Sequence, residues 1–476
     1  MVKKNFDYYF INSSPYTLEA QAENADGSYA LSPISVPSTP LITAGSCEIT
    51  FETHLTHSSG DFQFRTDTLP PHDFRESINP LTKATSGPLE DMMQTPSVIG
   101  SDFSLSYGMF DAGSESGTGL TGNDQIYAYL TPSQQNWMGT LAAAHPDVRN
   151  APFASFALPG AHDAGTFDLA QVDKLLGDAA AHKALTEAVS SWFSEAGDLT
   201  EWIGRMLKHV IVGEAVTQKD NVSTMLDLGC RYFDFRPGHV LAPFRSILPD
   251  LYHIHTLIPG QTYKGFITDV LTWLLANPTE IVAVHLSTSG FLEHSTMDPT
   301  TEELKSQFME VQQTTGATSI QIGSAADLQT SYSDLVKSNR RLFFLNQPSL
   351  NWFPATSYGS YNSSYETTDP QVILNALGAM TESGQSGKDF TVLSLQATAT
   401  GQNKINNVIA LLRSFSKADS PLMSTKPMMD CNTYPWLLDN VCNLRNDNLL
   451  ALPNDFVDNA LAGSIASVLT LQRCGP

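Results

Sequence analysis

Beyond residue 150 the sequence repeats one alternation, and this restricts the fold more than any other feature. The apolar, β-branched and aromatic runs are "FASFALPG", "CRYFDFRP", "LYHIHTL", "EIVAVHLS", "RRLFFLNQP", "FTVLSLQAT" and "NLLALPNDF". Stretches of helical spacing lie between them, such as "YKGFITDVLTWLLANP" and "VIALLRSF". Strands buried on both faces read as continuous apolar runs, and alternation of strand with helix builds a parallel sheet. Seven or eight such runs predict an α/β fold, a TIM-type (β/α)8 barrel. A doubly wound open sheet is the structural alternative, which periodicity does not separate from it.

The first 140 residues lack that alternation. "SCEITFETHLTH" places Cys47, Ile49, Phe51 and Leu55 at period two, and "DFSLSYGMF" does the same with Phe103, Leu105, Tyr107 and Met109. Gly, Ser, Pro and Asp clusters such as "SSGD" and "AGSESGTGLTGND" punctuate these runs. Short alternating strands with such turns predict an all-β sandwich-like domain. We therefore divide the chain into an accessory β-sandwich, residues 1–140, and a barrel, residues 141–476.

Charge narrows the partners. Lys and Arg total 26 against 49 Asp and Glu, a net charge of −23. Phosphate-backbone binding needs clustered cations, so nucleic acid is not an expected partner. Broad adsorption to anionic lipid is disfavoured for the same reason, while a local cationic site is compatible with the composition. "MVKKNFDYYFINSSPYTLEA" has no apolar core of signal-peptide length, and no uninterrupted apolar stretch approaches a membrane span, so neither a signal peptide nor a transmembrane helix is expected. The five cysteines show no zinc-ligand spacing; Cys431 and Cys442 are close enough in sequence to bridge.

Candidate chemistry gathers at the ends of the first runs. "LPGAHDAGTF" follows an apolar run with a Gly-permitted turn and then His162 and Asp163. In "RYFDFRPG", strand parity puts Tyr232, Asp234 and Arg236 on one face and Phe233 and Phe235 on the other. If the phenylalanines meet outer helices, Asp234 and Arg236 point into the barrel. In "LYHIHTL", His253 and His255 share a face. Inward ionisable groups at the C-terminal mouth of a barrel point to function, because burying them unpaired is costly. Two histidines facing each other across an arginine suit phosphodiester cleavage: one removes a proton, one supplies a proton, and the guanidinium holds the charge on phosphorus oxygens.

These residues, with "AVTQKDNVSTMLDLGCRYFDFRPG" and "FITDVLTWLLANPTEIVAVHLS", resemble the X region of phosphatidylinositol-specific phospholipase C. The resemblance is continuous over residues 152–290, weaker to the C-terminus, and absent from residues 1–140. It implies a phosphodiesterase that cleaves phosphatidylinositol-type lipids to diacylglycerol and a cyclic inositol phosphate, with a phospholipid at a membrane surface as partner. By resemblance His162 is the general base, Asp163 is the acidic residue working with the general acid, and Asp234 and Arg236 match an Asp-x-Arg of the bacterial, metal-independent branch. Asp163, Arg236 and Ser287 stand where the calcium-dependent branch carries Asn, an acid and Glu, so no metal and no other cofactor is implied. Spacing to "GQTYKGF" favours His255 as general acid, and the local "YHIHT" pattern favours His253. We assign His255, nearer the end of its run, and place His253 with Asp234 in substrate binding. Asp455 in "LALPNDFVDNA" matches the partner of the general base, with Asp430 in "PMMDCNTY" as its rival. The same mechanism on another head group, and an inactive lipid- or glycan-binding protein, remain the competing functions. The insert "KALTEAVSSWFSEAGDLTEWIGRMLKHVIV", with Trp192, Phe193, Trp202, Ile203, Met206 and Leu207, either packs on the barrel or dips into lipid.

Overall fold

The computed structural model describes residues 2–51, 61–67, 74–78, 85–86, 95–110, 123–191, 200–346, 350–354, 356–360, 367–382, 387–397, 421–441 and 447–475. The helical candidate "VIALLRSF", Trp192, Phe193 and Cys442 lie outside these residues; Cys431 carries a free thiol. Among the described residues, no helix is long and apolar enough to cross a membrane.

Eight strands form one parallel sheet. Their spatial order is Gln321–Gly323, Arg340–Asn346, Val282–Leu286, Tyr232–Phe235, Ala157–Ala161, Leu449–Asn454, Phe390–Val392 and Tyr358–Gly359. Helices cover the outside, giving a TIM-type barrel. Chain order is kept around it with one exception: Arg340–Asn346 pairs directly with Val282–Leu286 and leaves Gln321–Gly323 at the end of the sheet. Among the described residues no ladder joins that end to Tyr358–Gly359.

Both faces of the sheet are apolar, as strand parity requires. Leu158, Tyr232, Ala283, Phe343 and Ala451 fill the interior. Phe233, Phe235, Val284 and Phe344 face outward onto helices Tyr263–Ala276 and Thr301–Thr314 through Phe266 and Phe308. Phe235 stacks on Phe266 with ring centroids 4.2 Å apart. Each helix begins on its own cap: Thr262 accepts from Gly265 N, and Thr300 with Glu303 forms a capping box.

The run "LYHIHTL" departs from expectation. It is not a barrel strand. Tyr252–His255 pairs antiparallel with Pro237–Gly238 and Ile258–Thr262 in a separate three-stranded sheet at the mouth. The cause is in the sequence just after it: "TLIPGQT" turns the chain back within two residues, which a parallel crossover would not allow. Helices Ala170–Gly177, Ala179–Ser191 and Thr200–Ala215 cover this small sheet. Val172, Leu185, Ile203, Leu207 and Ile211 pack on Tyr252, Ile254 and Ile258, so the described apolar face of the insert is a packing face.

The described amino-terminal residues form two five-stranded sheets. Strand Asp124–Pro132 is buried on both faces. Ile126, Ala128 and Leu130 meet Leu18, Phe62 and Phe64 of the second sheet, while Tyr127 and Tyr129 turn the other way onto Tyr434, Leu437 and Leu452. Helix Trp137–Ala144 spans residue 140 and seats Trp137 and Met138 against the closed end of the barrel.

Candidate active site

The turn that presents the first histidine has a definite geometry. Strand Ala157–Ala161 runs straight through Pro159 and Gly160. His162 follows, and Asp163 takes a left-handed conformation, φ 44°. Asp tolerates that region better than most residues. Ala164 N then donates to Asp234 O at 2.9 Å, which ties this turn to the neighbouring strand. Gly165 is required next: a Cβ there would lie 2.3 Å from His253 Cβ. Its carbonyl accepts from Gln261 N at 2.9 Å, so the small sheet docks directly on the turn. Two further left-handed residues, Thr256 (φ 61°) and Phe456 (φ 49°), immediately follow His255 and Asp455. Strained backbone therefore accompanies all three acid–base candidates, as is common where side-chain aim matters more than local stability.

The expected residues converge. Asp163 is fully buried and forms the centre. His162 Nε2 lies 3.2 Å from its Oδ2 and His255 Nε2 lies 3.7 Å from the same atom. Its Oδ1 is 3.0 Å from Arg236 Nε and 3.3 Å from His253 Nε2. Arg236 also donates to Asp234 Oδ2 at 2.8 Å, and its Nη2 reaches His162 Nε2 at 3.3 Å. On the far side of the imidazole, His162 Nδ1 donates to Asp455 Oδ1 at 2.9 Å.

The two pairs of rivals differ in their surroundings. His253 is wholly buried, and its Nδ1 accepts the Arg236 backbone N–H at 3.1 Å, which leaves the proton on Nε2, toward Asp163. His255 keeps 23% of its side chain exposed. Asp430 sits in helix Pro421–Asn440, bonded to Lys426, Tyr129 and Asn454 rather than to His162.

Electrostatics follow from these contacts. Burial alone pulls His162 down, but Asp163 and the Asp455 bond outweigh it and raise the imidazole to about 9. Burial lowers His255 to about 4, with Asp163 opposing. Burial disfavours ionised Asp163, yet Arg236 and the surrounding histidines hold it well below the usual carboxylate range. The side-chain atoms of His162, Asp163 and Asp234 approach within 4.8 Å of one another, close enough to share a cation. The Arg236 guanidinium touches all three residues.

Over 153 residues the chain is 28% identical to PI-PLC X domain-containing protein 1 of Mus musculus, covering 31% of this chain and 38% of that protein. The human protein of that name is 24% identical over 154 residues, covering 32% and 41%. Over that stretch the chain is similar to these PI-PLC X domain-containing proteins. It matches about two fifths of the length of these curated relatives. Among solved structures, the phosphatidylinositol-specific phospholipase C of Listeria monocytogenes aligns at 13% identity and TM-score 0.41, over 72% of this chain and 99% of that one. The Staphylococcus aureus enzyme aligns at 15% and 0.41, over 72% and 98%. No family model matches the chain.

Sequence reasoning missed several residues around this site. Gln218 clasps two backbone segments of the site: its Nε2 donates to His162 O at 2.9 Å and Asn454 O at 3.0 Å, and its Oε1 accepts Val457 N. Thr217 Oγ1 adds a donation to His162 O at 3.1 Å. His285, in register with Asp234 on the next strand, bonds Tyr232 Oη through Nδ1 at 3.2 Å and leaves Nε2 unpaired. A lone His inside "EIVAVHLS" was the available signal for it.

Proposed function

We propose that the chain is a metal-independent phosphodiesterase that cleaves phosphatidylinositol-type phospholipids at a membrane surface, yielding diacylglycerol and a cyclic inositol phosphate. The observation that carries this reading is the placement of His162 and His255 on one carboxylate oxygen of Asp163, with Arg236 beside them. His162 Nε2 lies between a pure donor, Arg236, and a pure acceptor, Asp163, so it has a partner whether or not it holds a proton.

The free site carries one proton over two imidazoles near neutral pH: His162 is charged and His255 neutral. A phosphodiester anion seated beside Arg236 favours the proton on His255 instead. His162 is then neutral, with Nε2 unprotonated and Nδ1 still donating to Asp455. It takes the proton of a head-group hydroxyl adjacent to the phosphate as that oxygen bonds phosphorus. The bond from phosphorus to the glycerol oxygen breaks, and His255 gives its proton to that leaving oxygen. Arg236 holds the charge on the non-bridging oxygens. Leu292, 52% exposed and bonded through its N–H to Thr256 O beside His255, offers an apolar contact for lipid at the rim.

A phosphate-product assay on a lipid panel, run with and without EDTA, tests the proposal. Cleavage of phosphatidylinositol that survives chelation is the expected result. Activity abolished by chelator and restored by calcium overturns the metal-free mechanism; lipid binding without turnover on any head group overturns the enzymatic reading.

A further inference from the structure

Resting on that reading of His162 and Asp455, we propose that the amino-terminal sheet positions the acid–base pair through an unbroken buried chain of hydrogen bonds, Tyr129–Asp430–Asn454–Asp455–His162. The links are all short. Tyr129 Oη, on strand Asp124–Pro132, donates to Asp430 Oδ2 at 3.0 Å. Asn454 Nδ2 donates to Asp430 Oδ1 at 2.9 Å, and Asn454 Oδ1 accepts Asp455 N at 3.0 Å. Asp455 Oδ1 accepts from His162 Nδ1 at 2.9 Å. Tyr129, Asp430, Asn454 and Asp455 are all buried, so no water competes for these bonds and each fixes the next. Asn454 is the hinge of the device. It ends its barrel strand, and the backbone after Asp455 turns left-handed at Phe456, a conformation an aromatic residue holds only when its surroundings impose it.

The rest of the network keeps Asp430 in place. Lys426 Nζ donates to Asp430 at 2.8 Å and to Asp458 at 2.7 Å, and Tyr434 Oη donates to Asp458 at 2.6 Å. Asn459 Nδ2 returns to the sheet, donating to Tyr129 O and Ser104 O at 2.9 and 2.8 Å. A second bridge reaches the histidine side. Asp220 accepts from Ser97 N and Ser97 Oγ at 2.9 and 2.7 Å, and Lys219 Nζ bonds Thr95 O. Both residues directly follow Thr217 and Gln218, which hold the His162 carbonyl. The sheet therefore grips the two strand ends that carry His162 and Asp455, and the residues of the chain act as positioning residues.

The test is the His162 imidazole titration, read by NMR in the full chain, for wild type, Tyr129→Phe and Tyr127→Phe. Asp163, Asp455 and Arg236 are the charged groups that set His162, and none is altered. Tyr129→Phe keeps the ring but removes the first link, so Asp455 loosens and the His162 pKa falls by roughly half a unit to one unit, the scale of one hydrogen bond. Turnover falls several-fold with KM unchanged. Tyr127→Phe, on the same face but outside the chain of bonds, leaves the titration unmoved. An unchanged titration in Tyr129→Phe, or an equal shift in both variants, overturns the proposal. If Tyr129→Phe does not fold, Asn454→Ala, which cuts the chain at the hinge, is read in the same way. Because the titration needs no turnover, a chain that cleaves no lipid contradicts the proposed function without deciding this inference.

Discussion

The two ends of the barrel each bury an arginine–carboxylate pair, and they use it in opposite ways. At the closed end, Arg231 and Glu280 are both fully buried and every bond is made. Arg231 donates to Glu280 at 2.8 and 3.0 Å and to the carbonyls of Leu226, Cys230 and Gln135. Glu280 also accepts Gly139 N and Thr279 Oγ1 at 3.0 Å. At the mouth, Asp163 is equally buried, yet neither of its oxygens receives a hydrogen bond of good geometry, although four nitrogen-bearing side chains stand within 3.7 Å. Backbone strain occurs beside Asp163 and not beside Glu280. A satisfied pair locks helix Trp137–Ala144 to the barrel. An under-satisfied one leaves bonding capacity for a substrate and for a proton in transit.

Substitutions can break this contrast. The largest effect is expected for His162→Ala, which should lower turnover by about 10²- to 10⁴-fold as a general base is lost. Stability should fall too, because the contacts with Asp163 and Asp455 that raise His162 also stabilise the fold near neutral pH, so kinetics are normalised to the folded fraction read from a melting curve. Glu280→Ala should act on stability alone. It strands the buried Arg231 charge at a cost of about 3–5 kcal/mol in stability, while turnover per folded molecule is retained. Denaturant unfolding with activity normalised to the folded fraction reads this out. Gly165→Ala should fall between, at about 1–3 kcal/mol for the overlap with His253, and here stability and turnover should drop together because His253 carries Asp163. A Gly165→Ala protein of normal stability and rate would show that the small sheet is free to slide on the turn.

Much of the mouth was legible because its residues obey strand parity. Tyr232, Asp234 and Arg236 face inward, and Phe233 and Phe235 face outward onto Phe266. His162 and Asp163 were marked by the apolar run that ends on them. The strand holding His253 and His255 was misplaced because "LYHIHTL" looks the same in a barrel strand and in a hairpin; only the return strand Ile258–Thr262 distinguishes them. Strands Gln321–Gly323 and Tyr358–Gly359 are too short to carry a periodic signal. Gln218 and Asn454 escaped notice because their role is to hold carbonyls and amides brought from distant parts of the chain, which no local pattern encodes.

If His162 and His255 work as a pair sharing one proton, the pH dependence of kcat/KM shows it most directly. With His162 raised to about 9 and His255 lowered to about 4, the singly protonated pair prevails between those values. As pH falls through the lower value His162 and His255 both hold protons and no base remains; as pH rises through the upper value neither does and no acid remains. The two limbs belong to the pair, not to either residue alone. The expected profile is broad and flat-topped with limbs near 4 and near 9, measured where the protein stays folded; in His162→Ala the limb near 9 disappears and the residual activity falls with rising pH as His255 gives up its proton. A narrow bell centred near the ordinary histidine value, or a profile unchanged by removing His162, would contradict it.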